Sequence, residues 1–526
     1  MGDTSAIKSS LHRTFALTRR YGGWVVIIAA VGFGFMHLRE FHHPAYGFTR
    51  LLQISPSWSE KAVPEVRTTN TYIYREEAGY DGQFYAQLAL RPALQDPTLD
   101  TAIDLPSMRA RRILTSWIAA GVGVGDAFRT LNGYAWLNVV AWVALGIGLL
   151  RLLPPTSLHH IVAWIGLMFS AGVTTSVVYA LTDLPALLLI LLGMFALRHQ
   201  RGKTTAGLFA AACLSRETSL LAGLTLLQLP TWRERVLRGL IIVTPVALWF
   251  VYVSFRFPAT GNSLQNFAIP FTALAGKLHT TFAALVAAPA DALAWAGLGG
   301  ILAILVQAGW LVARPQPRNP WWQLGIGYVG LLAILGAPTF AGYPAAVTRI
   351  LLPLHLAFIM LTPRTRAGLV LLLVGNLSVF TGGYMLSRSD INTKELNHVI
   401  QARGPVVLEI GDGWNGVERD DIHTWSWCGG EGRLLVRQFN EDGVTDPVNL
   451  VFTLVGELGC DVTITQNGNT LWEGYTEKPG VTVHLEGIEL DHTGRTGLDF
   501  YTAGPSHLEA GTGRRLAFAV YNVRIY

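Results

Sequence analysis

The sequence predicts a polytopic α-helical membrane protein that ends in a β-sandwich, and three observations predict it. Hydrophobic residues make up 51% of the 526-residue chain and charged residues only 14%, with a mean hydropathy of +0.36. The charge is unevenly spread. Residues 387–526 hold 20 acidic and 11 basic residues, a net of −9, against 15 and 29, a net of +14, in the remainder. From residue 397 onward the texture also changes, from long apolar runs to short alternating ones broken by Gly, Asn and Asp. The overall net charge of +5 therefore comes from basic residues near helix ends, where they set orientation. It is not a nucleic-acid signature, and no nucleic-acid partner is expected.

Taken in order, the tail 1–20 carries Lys8, Arg13, Arg19 and Arg20 and is read as cytoplasmic by the positive-inside rule. The apolar run 21–38 is just long enough to span and lacks a small-residue cleavage site, so it is read as the first anchor. A long first external loop with juxtamembrane helices follows over 39–132, including an apolar piece at 113–124 too short for a span. Further apolar segments lie at 134–150, 161–179, 184–197, 204–214, 220–229, 236–255, 292–312, 322–338, 350–361 and 367–386, which predicts about eleven crossings within 21–386. Basic clusters support the alternation. Arg151, Arg198/Arg201/Lys203, Arg233/Arg235/Arg238, Arg314/Arg318 and Arg364/Arg366 fall at every second connection, as cytoplasmic loops require. An odd number of crossings leaves a linker at 387–396 and an extracytoplasmic β-sandwich at 397–526. Its Cys428 and Cys460 could pair there, while Gln466-Asn467-Gly468-Asn469 marks a turn.

The candidate chemistry gathers on the external side. Tyr80-Asp81-Gly82-Gln83-Phe84-Tyr85 places a carboxylate between aromatic and amide side chains, in a setting expected to raise its pKa toward that of a general base. The plainer alternative is an N-cap for a short helix. Arg109, Arg111, Arg112, Arg216 and Arg349 are suited to holding a phosphate or pyrophosphate, or else snorkel to lipid headgroups. Asp183 and Glu217 could ligate Mg²⁺ or Mn²⁺ or orient an acceptor. Their alternatives are a helix cap for Asp183 and an ion pair of Glu217 with Arg216. His42-His43 and His159-His160 lack a third ligand at a persuasive spacing. Trp414, Trp425 and Trp427 are either sugar-stacking platforms or core.

Together, the Tyr80–Tyr85 motif, Asp104-Leu-Pro with Arg109-x-Arg111-Arg112, the Thr182-Asp183-Leu-Pro turn and Leu214-Ser-Arg216-Glu217-Thr218 resemble bacterial multi-pass membrane proteins of cell-surface glycopolymer formation. These are similar to the GT-C superfamily of polyprenyl-phosphate-sugar glycosyltransferases. The resemblance implies a GT-C-like transmembrane domain over 21–386, with Asp81 catalytic. It also implies a lipid-linked donor bound in a cavity open to the membrane, and the residues expected to bind substrate are Tyr80, Gln83, Tyr85, Arg109, Arg111, Arg112, Arg216 and Arg349. The sequence departs from the pattern around the arginines, carrying Ser107-Met108 and Thr115-Ser116 where an aromatic residue and a proline are expected.

The function so implied is a membrane glycosyltransferase of polysaccharide biosynthesis, acting at the external face of the bacterial cytoplasmic (inner) membrane. Its partners would be a polyprenyl-phosphate-linked sugar donor, a glycan or lipid-linked acceptor, and membrane lipids. The competing classes are a lipid-linked glycan transporter or flippase, and a non-catalytic assembly protein with a glycan-binding sandwich. A flippase needs polar residues down several helices, where the sequence offers only scattered ones such as Asn138 and Asn376.

Overall fold

The apolar runs form helices in a computed structural model that describes residues 3–42, 46–69, 71–74, 79–258, 266–342, 346–387, 398–403, 406–420, 422–438, 446–491 and 494–526. The linker at 387–396 and His43 fall almost wholly or wholly outside these residues. The chain divides into two units. One comprises Met1–Arg39, Phe48–Ala62 and Ile73–Arg388; the other comprises Glu40–Gly47, Val63–Tyr72 and Ser389–Tyr526.

The first unit is helical. Its longer helices are Asp3–Arg39 (α1), Gly82–Leu90 (α2), Leu114–Gly123 (α3), Ala127–Leu152 (α4), Leu158–Met168 (α5), Ala171–Val178 (α6), Asp183–Arg198 (α7) and Gly202–Ser215 (α8). A 3₁₀ segment, Glu217–Gln228, leads to Trp232–Arg256 (α9), Thr272–Ala287 (α10), Ala292–Ala313 (α11), Pro320–Ile334 (α12), Leu352–Leu361 (α13), Arg366–Gly375 (α14) and Ser378–Ser387 (α15). Side chains cap many of these starts: Asp126 accepts from the Arg129 amide, Ser157 from His160, Ser170 from Val173 and Thr231 from Glu234.

Among the described residues, four helical stretches are long and apolar enough to cross a membrane: Tyr21–Arg39, α4, α9 and α11. The bent pairs α5–α6 (41°) and α14–α15 (46°) raise this to six. The chain is a membrane protein with several apolar helices, and α9 shows why: Leu240, Leu248 and Val251 are each more than half exposed. The difference from about eleven expected crossings has a physical source. Apolar composition shows that a segment is buried but not how far it runs straight; α7, α8, α12 and α13 are 16, 14, 15 and 10 residues long. At the second bend, the Asn376 amide donates to the Val162 carbonyl (3.2 Å) and its oxygen meets His355 Nε2 at 2.6 Å, so a polar side chain stands at the break.

The second unit is a β-sheet structure. Its strands are Val399–Arg403 (β1), Val406–Ile410 (β2), Trp414–Arg419 (β3), Thr424–Cys428 (β4), Glu431–Gln438 (β5), Val448–Gly456 (β6), Cys460–Gln466 (β7), Asn469–Thr476 (β8), Val481–Ile488 (β9), Arg495–Tyr501 (β10), His507–Leu508 (β11), Arg515–Leu516 (β12) and Phe518–Ile525 (β13). One sheet runs β1-β2-β5-β10-β7-β8 and another β3-β4-β13-β6-β9, with β11-β12 a small pair. Alternating residues such as Leu450, Phe452 and Leu454 on β6, and Val462 and Ile464 on β7, fill the core. The β7–β8 loop is Asn467-Gly468, both at positive φ (51° and 83°), as a two-residue hairpin requires.

Cys428 and Cys460 are buried free thiols. Glu409 is buried here too, and Tyr46, from the early loop segment of this unit, donates to it at 2.9 Å. Trp414 packs edge-on against Phe500 and Phe518, so it belongs to the core. Trp425 instead stacks on Tyr521 at 5.5 Å.

Candidate functional site

Asp81 enters its position through two glycines. Gly79 has φ +74°, where an added Cβ would stand 2.7 Å from the Gln53 carbonyl; one on Gly82 would stand 2.3 Å from the Tyr179 carbonyl. The glycines thus admit neighbouring backbone, and the Tyr80 amide donates to the Gln53 carbonyl at 3.1 Å. The Tyr80 ring stacks on Tyr179 (4.6 Å between centroids) and lies under the Arg349 guanidinium. Gln83 faces the scaffold, with its side-chain oxygen accepting from the Ser55 amide at 3.1 Å.

Asp81 precedes α2 but caps nothing with its side chain. Its carboxylate is held by Arg109 Nη1 at 2.9 Å and Arg349 Nη1 at 3.4 Å. Burial works against this charge, but the Arg109 and Arg349 guanidiniums outweigh it and hold the carboxyl well below the usual carboxylate range. The sequence expectation of a raised pKa is overturned, because it considered shielding without the two cations.

Arg109 itself is shared. Its Nε and Nη2 form a fork on Asp104 at 3.0 and 2.8 Å, which leaves Nη1 for Asp81. Arg112 makes a second fork, on Glu217, at 2.8 and 2.5 Å, while its Nη1 donates to the Tyr85 hydroxyl at 2.8 Å. Arg216 Nη1 meets Asp183 at 2.6 Å. Glu217 therefore pairs with Arg112 across 105 residues of sequence, not with its neighbour Arg216 as one sequence reading had it. Arg111 turns away, lying over the Phe250 ring of α9 at 5.3 Å.

These pairs form one electrostatic cluster. Arg112 acts on Asp81, and Asp183 acts on both Arg112 and Arg349. Four arginines (109, 112, 216, 349) face four carboxylates (81, 104, 183, 217), so the formal charges cancel. The hydroxyls that replace the expected proline tie the cluster's walls together. Ser116 donates to the Tyr85 carbonyl at 2.8 Å, and Thr115 lies 3.4 Å from Ser215.

Sequence reasoning missed two residues. Asp104 was read only as part of a motif, although its spacing of five before Arg109 is compatible with the fork. Tyr134 on α4 is fully buried, its hydroxyl has no hydrogen-bond partner among the described residues, and it lies within electrostatic range of Tyr85, Asp183 and Asp81. No sequence signal marks it, since a tyrosine at the start of an apolar helix looks like an interfacial anchor.

Fold and site together define a membrane protein that holds a charge-balanced arginine–carboxylate cluster at the ends of its apolar helices. No family model matches the chain, and no curated protein sequence does. Among solved structures, the chain is similar to the arabinosyltransferase EmbB from Mycobacterium smegmatis, determined by single-particle cryo-EM. The identity is 11% and the TM-score 0.22, over 84% of this chain and 62% of that one. The chain thus spans less than two thirds of that enzyme's length.

Proposed function

We propose that the protein is a membrane glycosyltransferase. In this reading it moves a sugar from a polyprenyl-phosphate donor to a cell-surface glycan or lipid-linked acceptor at the external face of the cytoplasmic membrane. The observation that carries the reading is Asp81 suspended between Arg109 and Arg349 within a cluster whose charges already cancel. An arriving donor phosphate adds negative charge and competes with carboxylates for the arginines. Asp81 is the carboxylate most easily displaced: it holds Arg109 by a single nitrogen, where Asp104 holds it by two, and its contact to Arg349 is the longest in the cluster.

On this reading the donor phosphate takes up Arg349 and the free edge of Arg109, and the freed Asp81 regains basicity as its cations are withdrawn. The acceptor hydroxyl attacks the anomeric carbon through an oxocarbenium-like transition state while its proton passes to Asp81. The bond from the anomeric carbon to the phosphate oxygen breaks, and the electron pair leaves on polyprenyl phosphate against the guanidiniums. Arg112, fixed by Glu217 and Tyr85, and Arg216, fixed by Asp183, are the standing positive field. The buried Tyr134 hydroxyl is a ready donor to substrate oxygen.

The reading routes no step through a divalent cation, since Asp183 and Glu217 direct their charge at Arg216 and Arg112. The test is transfer by Asp81→Asn in reconstituted vesicles supplied with polyprenyl-phosphate sugars. Loss of turnover on the order of 10²- to 10⁴-fold is expected for removal of a general base, in a variant whose retained fold is checked by its helical circular dichroism because Arg349 loses its carboxylate partner. Retained turnover removes Asp81 from the mechanism.

A further inference from the structure

The far end of the same helical unit carries a polar cavity that the transfer chemistry does not use. α7 begins at Asp183 in the arginine–carboxylate cluster and ends at Arg198, about 22 Å away along the helix axis at 1.5 Å per residue. α8 returns antiparallel, from Gly202 to Ser215 beside the cluster. Between the ends of α7 and α9, Arg198, Arg238, Gln200, Gln228, Trp321 and Met360 help line a cavity of about 650 Å³.

Arg238 is the informative residue. Its Nε and Nη1 are shut off from solvent and have no acceptor among the described residues. Its guanidinium lies so close over Gly202 that an added Cβ would stand 3.2 Å from it. Desolvated guanidinium nitrogens without a partner are costly, and an anion is the group that would offset them. Glu234 is the acidic member of the lining, against two arginines.

A second, apolar groove of about 410 Å³ adjoins this cavity around α9. Glu234 and Arg238 line the first, and their chain neighbours Arg235 and Gly239, with Ile242 and Val243, line the second together with leucines of the 3₁₀ segment. A charged cavity beside an apolar groove, at the arginine-rich end of a membrane helix bundle, has the shape of a lipid: headgroup in one, acyl chain in the other.

We propose that this end of the protein binds one anionic phospholipid, with its phosphate at Arg198 and Arg238 and an acyl chain along α9. The site stands independently of the glycosyl-transfer reading, because it shares no residue with the arginine–carboxylate cluster.

The test is native mass spectrometry of the full chain in detergent micelles titrated with phosphatidylglycerol, phosphatidylcholine or inorganic phosphate. Wild type should retain one phosphatidylglycerol, with phosphatidylcholine at least tenfold weaker and inorganic phosphate at millimolar concentration unable to displace it. Arg198→Gln with Arg238→Gln should weaken phosphatidylglycerol binding on the order of tenfold or more, the effect of lost charge-assisted hydrogen bonds. Gly239→Leu keeps the arginines and meets nothing within 4 Å of its Cβ, so it should fold normally, fill the groove and weaken binding as well. Equal phosphatidylglycerol binding by wild type and both variants would overturn the proposal. Displacement by inorganic phosphate would overturn it in favour of a soluble phosphate.

Discussion

Replacing Asp183 with asparagine should destabilise the helical unit more than almost any other single-atom-scale change. Asp183 Oδ1 lies 2.6 Å from Arg216 Nη1, and the two side chains are 1% and 8% exposed. Neither charge has water to fall back on, and Glu217 cannot take over because Arg112 already grips it with two nitrogens. Breaking a buried pair by removing one partner costs about 3–5 kcal/mol, most of it the unpaired charge left behind. Replacing both, as Asp183→Leu with Arg216→Met, should instead be near neutral, within about 1 kcal/mol, because no buried charge remains. With Asp183→Leu and Arg216→Met as the single variants, the double-mutant cycle should therefore return a coupling of about 3 kcal/mol or more. Denaturant unfolding of the purified protein in micelles, followed by tryptophan fluorescence, reads these differences. An Asp183→Asn variant within about 0.5 kcal/mol of wild type, or a cycle that simply adds, would show that the pair is not buried and unscreened as described.

Four further outcomes follow from the same geometry. The pH profile should split: kcat/KM, which reports free protein, stays flat on its acid side because Arg109 and Arg349 keep Asp81 ionised, whereas kcat should show an acid limb, declining as pH falls and beginning at a higher pH, once the donor has drawn those arginines away and Asp81 can be protonated; coincident acid limbs would refute the exchange. Tyr134→Phe should lower kcat/KM about tenfold while leaving unfolding unchanged or slightly improved, since its hydroxyl has no partner among the described residues; loss of stability instead would make it structural. Gly82→Ala should lower turnover on the order of 10²-fold, because its Cβ would push the backbone next to Asp81 away from the Tyr179 carbonyl, with wild-type rates counting against that placement.

The last concerns Glu409, where burial opposes ionisation but the His398 hydrogen bond, Arg437 and Tyr46 prevail and bring its pKa from 4.5 to about 2. A folded pKa lowered in this way adds stability above about pH 4.5 that is lost as pH falls toward 2. At 3% side-chain exposure the contribution is about 3 kcal/mol. Denaturant unfolding of the full chain, read on the β-sheet circular dichroism, should therefore weaken over that window by about 3 kcal/mol more in wild type than in Glu409→Gln, and equal weakening in the two would refute the assignment.

Much of the candidate site was legible because its residues sit in short, charged interruptions of apolar sequence, where ionisable side chains are costly. Asp81, Arg109, Arg112, Arg216 and Arg349 were all found that way, and the structure brings them into one cluster. What sequence could not give was pairing. Arg112 and Glu217 are 105 positions apart and Arg349 and Asp81 are 268 apart, and nothing in local spacing says which acid meets which base.

The direction of the Asp81 pKa went wrong for the same reason, since burial is readable from context but the two cations are not. Arg111 shows the converse: it reads like its neighbours Arg109 and Arg112, but the turn carrying it faces Phe250. In the β-sheet unit the Asn467-Gly468 hairpin was legible because its dihedrals demand those residues. The participation of Tyr46 was not, because its partner Glu409 lies 363 residues away.

The exchange of partners at Asp81 is open to direct view in a structure of the full chain with a bound polyprenyl-phosphate sugar. Exchange places phosphate density between Arg109 and Arg349, with the Asp81 carboxylate released from both and turned toward the anomeric carbon and the Arg109–Asp104 fork intact. Phosphate bound elsewhere, with Asp81 still 2.9 Å from Arg109, would contradict it.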